Sequence, residues 1–209
     1  DYCDSTKNPV NNAVYLGMCS GWAVFSASAV NDFGECIDVA AHEFTHGITD
    51  YASGGNLYQN QSGAVNEGIS DVCGNLCEML LGATTDETWL LGENSGSAIR
   101  CMSAPWMYGQ PSAMYDSYYY PETDAPDLYN DYGGVHINSS LIGYVGYQLC
   151  NAGMTKEQAF GLWMGALRMM TPKSGYQEVH QALKFAADIR GMDNSWQYKI
   201  DSICGIAGY

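Results

Sequence analysis

The sequence predicts a mainly α chain with a short β segment at its N-terminus. Apolar residues recur at helical spacings from residue 37 onward. Glycines and capping residues divide that stretch into helix-sized pieces. Only the first 34 residues read differently, as short β-prone runs set between glycines. With 209 residues, 46% of them hydrophobic, the chain can bury a core in one domain or two small lobes.

In chain order, Val14-Tyr15-Leu16 and Trp22-Ala23-Val24-Phe25, separated by Gly17 and Gly21, predict strand, turn, strand. Ile37, Ala41, Phe44, Ile48 and Tyr51 then form one apolar stripe and predict a helix over 38–51. Ser53-Gly54-Gly55-Asn56 breaks it, and a second helix over 63–81 stops at Gly82. Residues 82–133 are rich in turn formers and carry the Tyr118-Tyr119-Tyr120 cluster, which predicts a long loop region of the kind often used for function. A third helix follows His136 and ends near Asn151-Ala152-Gly153. Thr155-Lys156-Glu157-Gln158 has capping-box form and opens a helix that stops before Pro172. Ser174-Gly175-Tyr176-Gln177 repeats the device, with Gly191 closing that helix. A last helix covers about 195–206.

Charge excludes several classes of partner. Lys and Arg total 8 against 23 Asp and Glu, a formal net charge of -15. A nucleic-acid backbone or an anionic membrane surface would be repelled. No run approaches the roughly 18 apolar residues of a membrane span. The chain opens at Asp1 with neither Met nor a basic-then-apolar leader, which reads as a processed mature chain. Its eight cysteines (Cys3, Cys19, Cys36, Cys73, Cys77, Cys101, Cys150 and Cys204) are dispersed and include no C-x-x-C. That favours an oxidising, secretory setting with as many as four disulfides over a cysteine-rich metal site, although eight cysteines allow 105 pairings. Cys73 and Cys77, four apart on a helix, are expected to bond to other segments rather than to each other.

His42-Glu43-Phe44-Thr45-His46 reads H-E-x-x-H. Residues four apart share a helix face, so both imidazoles can reach one ion, while Glu43 sits beside it free to act as a base. With 4 histidines in the chain, chance supplies such a match about three times in a thousand on composition alone. Two solvated histidines on a surface helix are the bland alternative. A catalytic zinc needs three protein ligands and one open position. Glu67 in Asn66-Glu67-Gly68-Ile69-Ser70-Asp71 offers the third, and Asp71, four residues on, can accept a histidine's outer N–H.

HEFTHGITDY followed by YQNQSGAVNEGISD resembles the thermolysin-like metallopeptidases, the M4 group of gluzincins. NNAVYLG upstream and IRCMSAP, GGVHINSS and ALRMMTPKSGY downstream extend the resemblance over nearly the whole chain. It implies a helical C-terminal lobe (35–209) preceded by a hairpin remnant of the N-terminal lobe (1–34) that supplies the cleft's edge strand. It further implies zinc on His42, His46 and Glu67, with Glu43 as base and Asp71 and Asn66 as partners of the histidines. His136 resembles the family's transition-state histidine, Asp131 its orienting carboxylate and Tyr58 the tyrosine that shares the oxyanion. A lone histidine near a helix start is otherwise read as structural, as His180 is here.

Arg100 matches the arginine that contacts the substrate carbonyl after the cleaved bond, and Asn12 and Ala13 match residues that hold the substrate backbone. Val39, Leu91 and Ile99 fall where the family lines its main specificity pocket, which implies an apolar residue after the cleaved bond. Asp38, Glu78 and Glu93 match calcium-binding carboxylates; without an ion they are solvated surface charge, and the sequence leaves both readings open. Thr88 and Leu90 stand where the family supplies further acids, so one calcium is implied and not a pair. Asn60-Gln61-Ser62 and Asn138-Ser139-Ser140 are sequons, the first in a loop that could carry a glycan, the second beside the proposed site.

The function implied is a secreted zinc endopeptidase acting on peptides or proteins. A non-catalytic binding or structural subunit is the rival from another class, opposed by the intact His42, Glu43, His46, Glu67 and His136. A cysteine hydrolase is a third, opposed by the lack of any nucleophile context. Because most of the family's β-rich N-terminal lobe is missing, the expectation is a two-part enzyme with that lobe as a separate chain, tethered through Cys3. A shortened enzyme covered by residues 82–133 is the alternative.

Overall fold

Helix α2 (Asn60–Leu81) runs through the middle of the fold. This computed structural model describes residues 10–16, 21–26, 33–82 and 89–209; Cys3, Cys19 and Thr88 lie outside the described residues. Ahead of α2 come an antiparallel pair, β1 (Val10–Leu16) and β2 (Gly21–Ser26), and helix α1 (Ile37–Ser53). In the pair, Asn12 stands opposite Phe25 and Ala13 opposite Val24. A two-residue pair follows, β3 (Leu90–Leu91) with β4 (Arg100–Cys101). Helices α3 (Asp131–Asn138), α4 (Ser140–Asn151), α5 (Lys156–Leu167), α6 (Tyr176–Ile189) and α7 (Ser195–Ala207) complete a mainly α chain.

Every residue of α2 from Ser62 to Leu76 is buried, because α1, α3, α4, α5 and α6 all pack against it. Ile69, Val72 and Leu76 join Leu141, Ile142, Val145, Leu162, Trp163 and Leu183 in one apolar cluster. Each fully buried aliphatic side chain there contributes about 1.5–3 kcal/mol. Two glycines of α2 permit the approach. A Cβ on Gly68 would lie 2.5 Å from Ile142 Cβ and 2.6 Å from the Ser139 carbonyl oxygen. A Cβ on Gly74 would lie 3.2 Å from the His42 nitrogen of α1 and closer still to the Asp38 carbonyl oxygen.

Helix α1 departs from the usual rule that the apolar stripe marks the core side. Phe44, Ile48 and Tyr51 are exposed, while Asp38, Val39, His42, Thr45 and Thr49 are buried. On the inward side His42 pairs with Glu67 and Asp71 of α2, Asp38 accepts the Val39 and Gly92 N–H groups, and Thr45 bonds back to the Ala41 carbonyl.

Other local expectations are met in part. The helix expected after His136 and ending near Asn151 is α4, and His136 itself lies in α3 just after four residues, Asp131 to Gly134, that all have positive φ. At α5 the capping box forms as expected, Thr155 accepting from the Gln158 N–H and Gln158 from the Thr155 N–H. At α6 the box is shifted by one: Glu178 accepts from the Gly175 N–H at 2.9 Å, while Ser174 Oγ accepts from the Thr171 N–H. Gln177 lacks that role because the chain enters the helix at Gly175.

The sequon at Asn60 is not a free loop amide. Its side chain donates to the Thr123 carbonyl at 3.0 Å and accepts from the Thr123 N–H at 3.1 Å, and Asn138, buried, makes the same pair with Tyr120. Cys73, Cys77 and Cys204 are thiols in this structure. Burial pushes the Cys73 and Cys204 thiols up to about 12, which removes them as nucleophiles at neutral pH.

The α1–α2 contact is open to test by overpacking. Gly74→Ala is expected to lose about 1–3 kcal/mol of unfolding free energy, because the obstacle is backbone and cannot rotate away. Urea denaturation followed by circular dichroism reads this directly.

Candidate metal centre

Helix α1 contributes His42, Glu43 and His46, and α2 contributes Asn66, Glu67, Ser70 and Asp71. His46 donates from Nδ1 to Asn66 Oδ1 at 2.9 Å, with Ser70 Oγ 3.2 Å from the same nitrogen, and His42 Nδ1 forms an ion-pair contact with Asp71 Oδ1 at 2.9 Å. These contacts fix the tautomer and point both Nε2 lone pairs inward. The two Nε2 atoms lie 2.9 Å apart, and Glu67 approaches them at 3.4 and 3.3 Å. Two facing lone pairs at that distance repel unless a proton or a cation lies between them.

Ligand atoms about 2.0 Å from a tetrahedral zinc stand about 3.3 Å from one another. The Nε2–Nε2 separation lies somewhat below that value, and each histidine stands close to it from a different oxygen of Glu67, His42 from Oε2 and His46 from Oε1. Glu67 Oε2, moreover, is buried and accepts no hydrogen bond among the described residues. The donor set, two imidazoles and a carboxylate with held outer atoms, therefore fits a divalent zinc ion.

Glu67 is at the centre of the charges. Burial opposes its ionisation, but His136, His42 and His46 outweigh burial and hold its carboxyl well below the usual range. Burial likewise opposes the imidazolium of His42, yet Asp71 and Glu67 push it up to about 10. Arg100, nearly buried, reaches Asp71 Oδ2 at 3.0 Å and Glu67 Oε2 at 3.7 Å.

On the other oxygen of Glu67 stand Tyr58 and His136. The Tyr58 hydroxyl donates to Glu67 Oε1 and lies 3.2 Å from His136 Nε2, which is itself 3.4 Å from Oε1. Asp131 takes the His136 Nδ1–H at 2.6 Å and its backbone N–H at 2.8 Å. With Glu67 and Asp131 opposing the effect of burial, His136 is pushed up to about 9. The positive-φ run Asp131-Tyr132-Gly133-Gly134 makes this possible, since it aims both Asp131 oxygens at one residue. Glycine is required at two of its positions: a Cβ on Gly134 would lie 2.6 Å from Tyr120 Cβ, and one on Gly133 would strike Asn60 Oδ1.

The structure thus brings together His42, His46, Glu67, Asp71, Asn66, Tyr58, His136, Asp131 and Arg100. Glu43 is half-buried and has no hydrogen bond or ion pair among the described residues. Val39 and Leu91 are buried and Ile99 is exposed, its N–H donating to the Leu91 carbonyl across the β3–β4 pair. A second acidic group gathers Asp38, Glu78 and Glu93, with a ligand atom from each within 4.8 Å of the others. Asp38 accepts from the Val39 and Gly92 N–H groups, and Glu78 from the Asn94 amide. Burial, then Asp38 and Glu93, pushes Glu78 up to about 7. Sequence reasoning missed Ser70, although its place four residues after Asn66 puts it on the same helix face, and Tyr132, whose ring stands 5.8 Å from that of Tyr58. His180 pairs with Asp201 at 2.8 Å and tethers α6 to α7.

Residues 55–201 match the family described as thermolysin metallopeptidase, alpha-helical domain. The chain is 34% identical over 198 residues to a thermolysin of Alicyclobacillus acidocaldarius, covering 87% of this chain and 34% of that protein. It is 32% identical over 170 residues to a zinc metalloproteinase of Renibacterium salmoninarum, covering 75% and 31%. The solved structure of the precursor of protealysin, a metalloproteinase from Serratia proteamaculans, superposes with a TM-score of 0.76 at 26% identity, covering 94% of this chain and 65% of that one. The chain therefore spans about a third of the length of the two sequence relatives.

In the ion-free protein His42 holds a proton up to about pH 10 against an ordinary 6.5. Its contribution to stability is then complete below 6.5 and lost as pH rises through 10. Binding an ion must displace that proton. Apparent zinc affinity is accordingly expected to rise about tenfold per pH unit between 6.5 and 8.5, measured by competition with a chelating indicator.

Proposed function

Because this chain belongs to the thermolysin family of metallopeptidases, we propose that it is the helical lobe of a zinc-dependent endopeptidase. The observation that carries the reading is the pair of inward-facing Nε2 atoms closed by Glu67, with His136 aimed at the same centre and Glu43, the residue after His42 on α1, unengaged among the described residues. Zinc would be held by His42, His46 and Glu67. When bound, it supplies Lewis acidity, lowering the pKa of a water molecule towards about 7.

The protein's own groups do the rest. Glu43 takes a proton from the attacking water and later gives it to the leaving amine. Tyr58 and the imidazolium of His136 donate to the peptide carbonyl oxygen as charge develops on it, and Asp131 keeps His136 both charged and oriented. Asp71 and Asn66 keep the histidines in their ligating tautomer. Arg100, held by Asp71, meets the carbonyl after the cleaved bond, and Asn12 and Ala13 on β1 hold the substrate backbone. Val39, Leu91 and Ile99 favour an apolar residue after that bond.

Residues 1–34 belong, in this reading, to an N-terminal lobe and 35–209 to the helical lobe. The exposed Phe44, Ile48 and Tyr51 on α1 support a further lobe, in the same or a separate chain, because an apolar stripe beside the cleft calls for a cover. Secretion is part of the reading on the even number and dispersion of the cysteines in the sequence, although Cys73, Cys77 and Cys204 are thiols in this structure. Among the described residues no helix is long and apolar enough to cross a membrane. Asp38, Glu78 and Glu93 are proposed as a calcium site, oxygen donors suiting that ion.

Glu43→Gln is expected to keep its zinc by metal analysis and lose nearly all peptide turnover; full activity would sink the mechanism. His136→Ala should lower kcat by about two to three powers of ten with little change in KM. For the acidic group, Glu78's raised pKa stabilises the ion-free fold fully below 4.5 and ceases to as pH rises through 7. Calcium should accordingly raise Tm more at pH 8 than at pH 5, read by differential scanning fluorimetry.

A further inference from the structure

Tyr132 adopts φ 51, ψ 33, a left-handed conformation that a bulky side chain seldom takes, and its neighbours Gly133 and Gly134 are the residues that need no side chain there. Strain of this kind collects at functional sites, and here its location can be read. The ring contributes to neither apolar cluster of the described residues and is 36% exposed. It stands edge-to-face on Tyr58, centroids 5.8 Å apart and planes at 72°. The hydroxyl of that same Tyr58 reaches Glu67 and His136. The Tyr132 N–H is tied to the Asp127 carbonyl at 2.7 Å, so the ring is carried on a fixed backbone.

The two oxygens of Glu67 face different groups. Tyr58 and His136 approach Oε1, and Arg100 approaches Oε2. Tyr132, through Tyr58, lies on the Oε1 side. If Arg100 meets the carbonyl after the cleaved bond, the Oε1 side receives the residue before it. We propose that Tyr132 is a specificity-determining residue whose ring forms a wall for the side chain preceding the cleaved bond and favours an aromatic or large aliphatic group there. The inference rests on the peptidase reading above and on the orientation it gives the substrate. An exposed ring edge beside a second aromatic ring offers an apolar and quadrupolar surface that glycine or a charged side chain cannot use.

Asparagine tolerates the left-handed conformation, so Tyr132→Asn removes the ring without adding strain, and Tyr132→Phe retains the ring and loses only the hydroxyl. In the zinc-loaded enzyme with its N-terminal lobe, peptides are compared that differ only in the residue before the cleaved bond, phenylalanine against glycine. The ratio of kcat/KM is expected to fall about tenfold in Tyr132→Asn and to stay within twofold of wild type in Tyr132→Phe. An unchanged ratio, both peptides falling together, or a shift only in preference after the bond would overturn the assignment.

Peptide binding to the zinc-loaded Glu43→Gln protein, by isothermal titration calorimetry, reads the wall without turnover. There the phenylalanine peptide should bind more weakly once Tyr132→Asn is added. Equal affinity overturns the inference, even if wild type cleaves neither peptide, a result that would count against the peptidase reading itself.

Discussion

The absence of a side chain at Gly74 sets the distance between α1 and α2, and the metal centre depends on that distance. With the Asp38 carbonyl and the His42 nitrogen seated against Gly74, the next turns of both helices stand close enough for His42 to reach Asp71 and Glu67 together. A separation greater by the width of a methyl group would turn each 3 Å hydrogen bond into a gap filled by water. The buried polar residues on both helices would then lose the partners that make their burial tolerable. Packing and chemistry are one constraint here, since the contact that closes the core also sets the ligand geometry.

The charges at the centre follow from that closeness. Glu67 is buried beside Asp71, and burial alone would neutralise the Glu67 carboxylate. Arg100 supplies one fixed positive charge, reaching both. The remaining compensation comes from the imidazoles, which is why His42 and His136 hold protons so strongly when no ion is present. A divalent cation performs the same neutralisation more compactly, releasing His42 to its ligating form. His136 is farther out, its side chain 47% exposed and backed by Asp131, so it can stay protonated where a donor to a developing oxyanion is wanted.

Which parts were legible in the sequence follows from period and distance. His42, His46, Glu67 and Asp71 were readable because a helix converts a spacing of four into one shared face, and the chemistry restricts which residues can sit there. Their meeting across two helices was not in the spacing, because it depends on Gly74. The apolar stripe of Phe44, Ile48 and Tyr51 was correctly seen and yet faces outward: periodicity reports that a face is apolar, not what it packs against. The α6 cap moved from Ser174 to Gly175 because Glu178 satisfied the helix N-terminus first and left Ser174 to the preceding turn. Asp131 to Gly134 carry no period at all, so the left-handed turn, and with it the place of Tyr132, could emerge only from the folded chain.

That turn also shows how strain is held in place. A left-handed residue other than glycine costs about 1–2 kcal/mol, and Asp131 and Tyr132 both incur it. Against it stand the two bonds from His136 to Asp131, the Gly133 N–H on Asn130, and the Tyr132 N–H on the Asp127 carbonyl. Asn60, at the start of α2, then clips the preceding loop through Thr123 from the opposite side. At roughly 1 kcal/mol each, these bonds offset the strain only if most are made together. The turn is therefore cooperative, formed with His136 aimed or not formed. Asn60 begins the helix that carries Glu67, so the element that presents the third ligand atom also anchors the loop that presents the oxyanion donor.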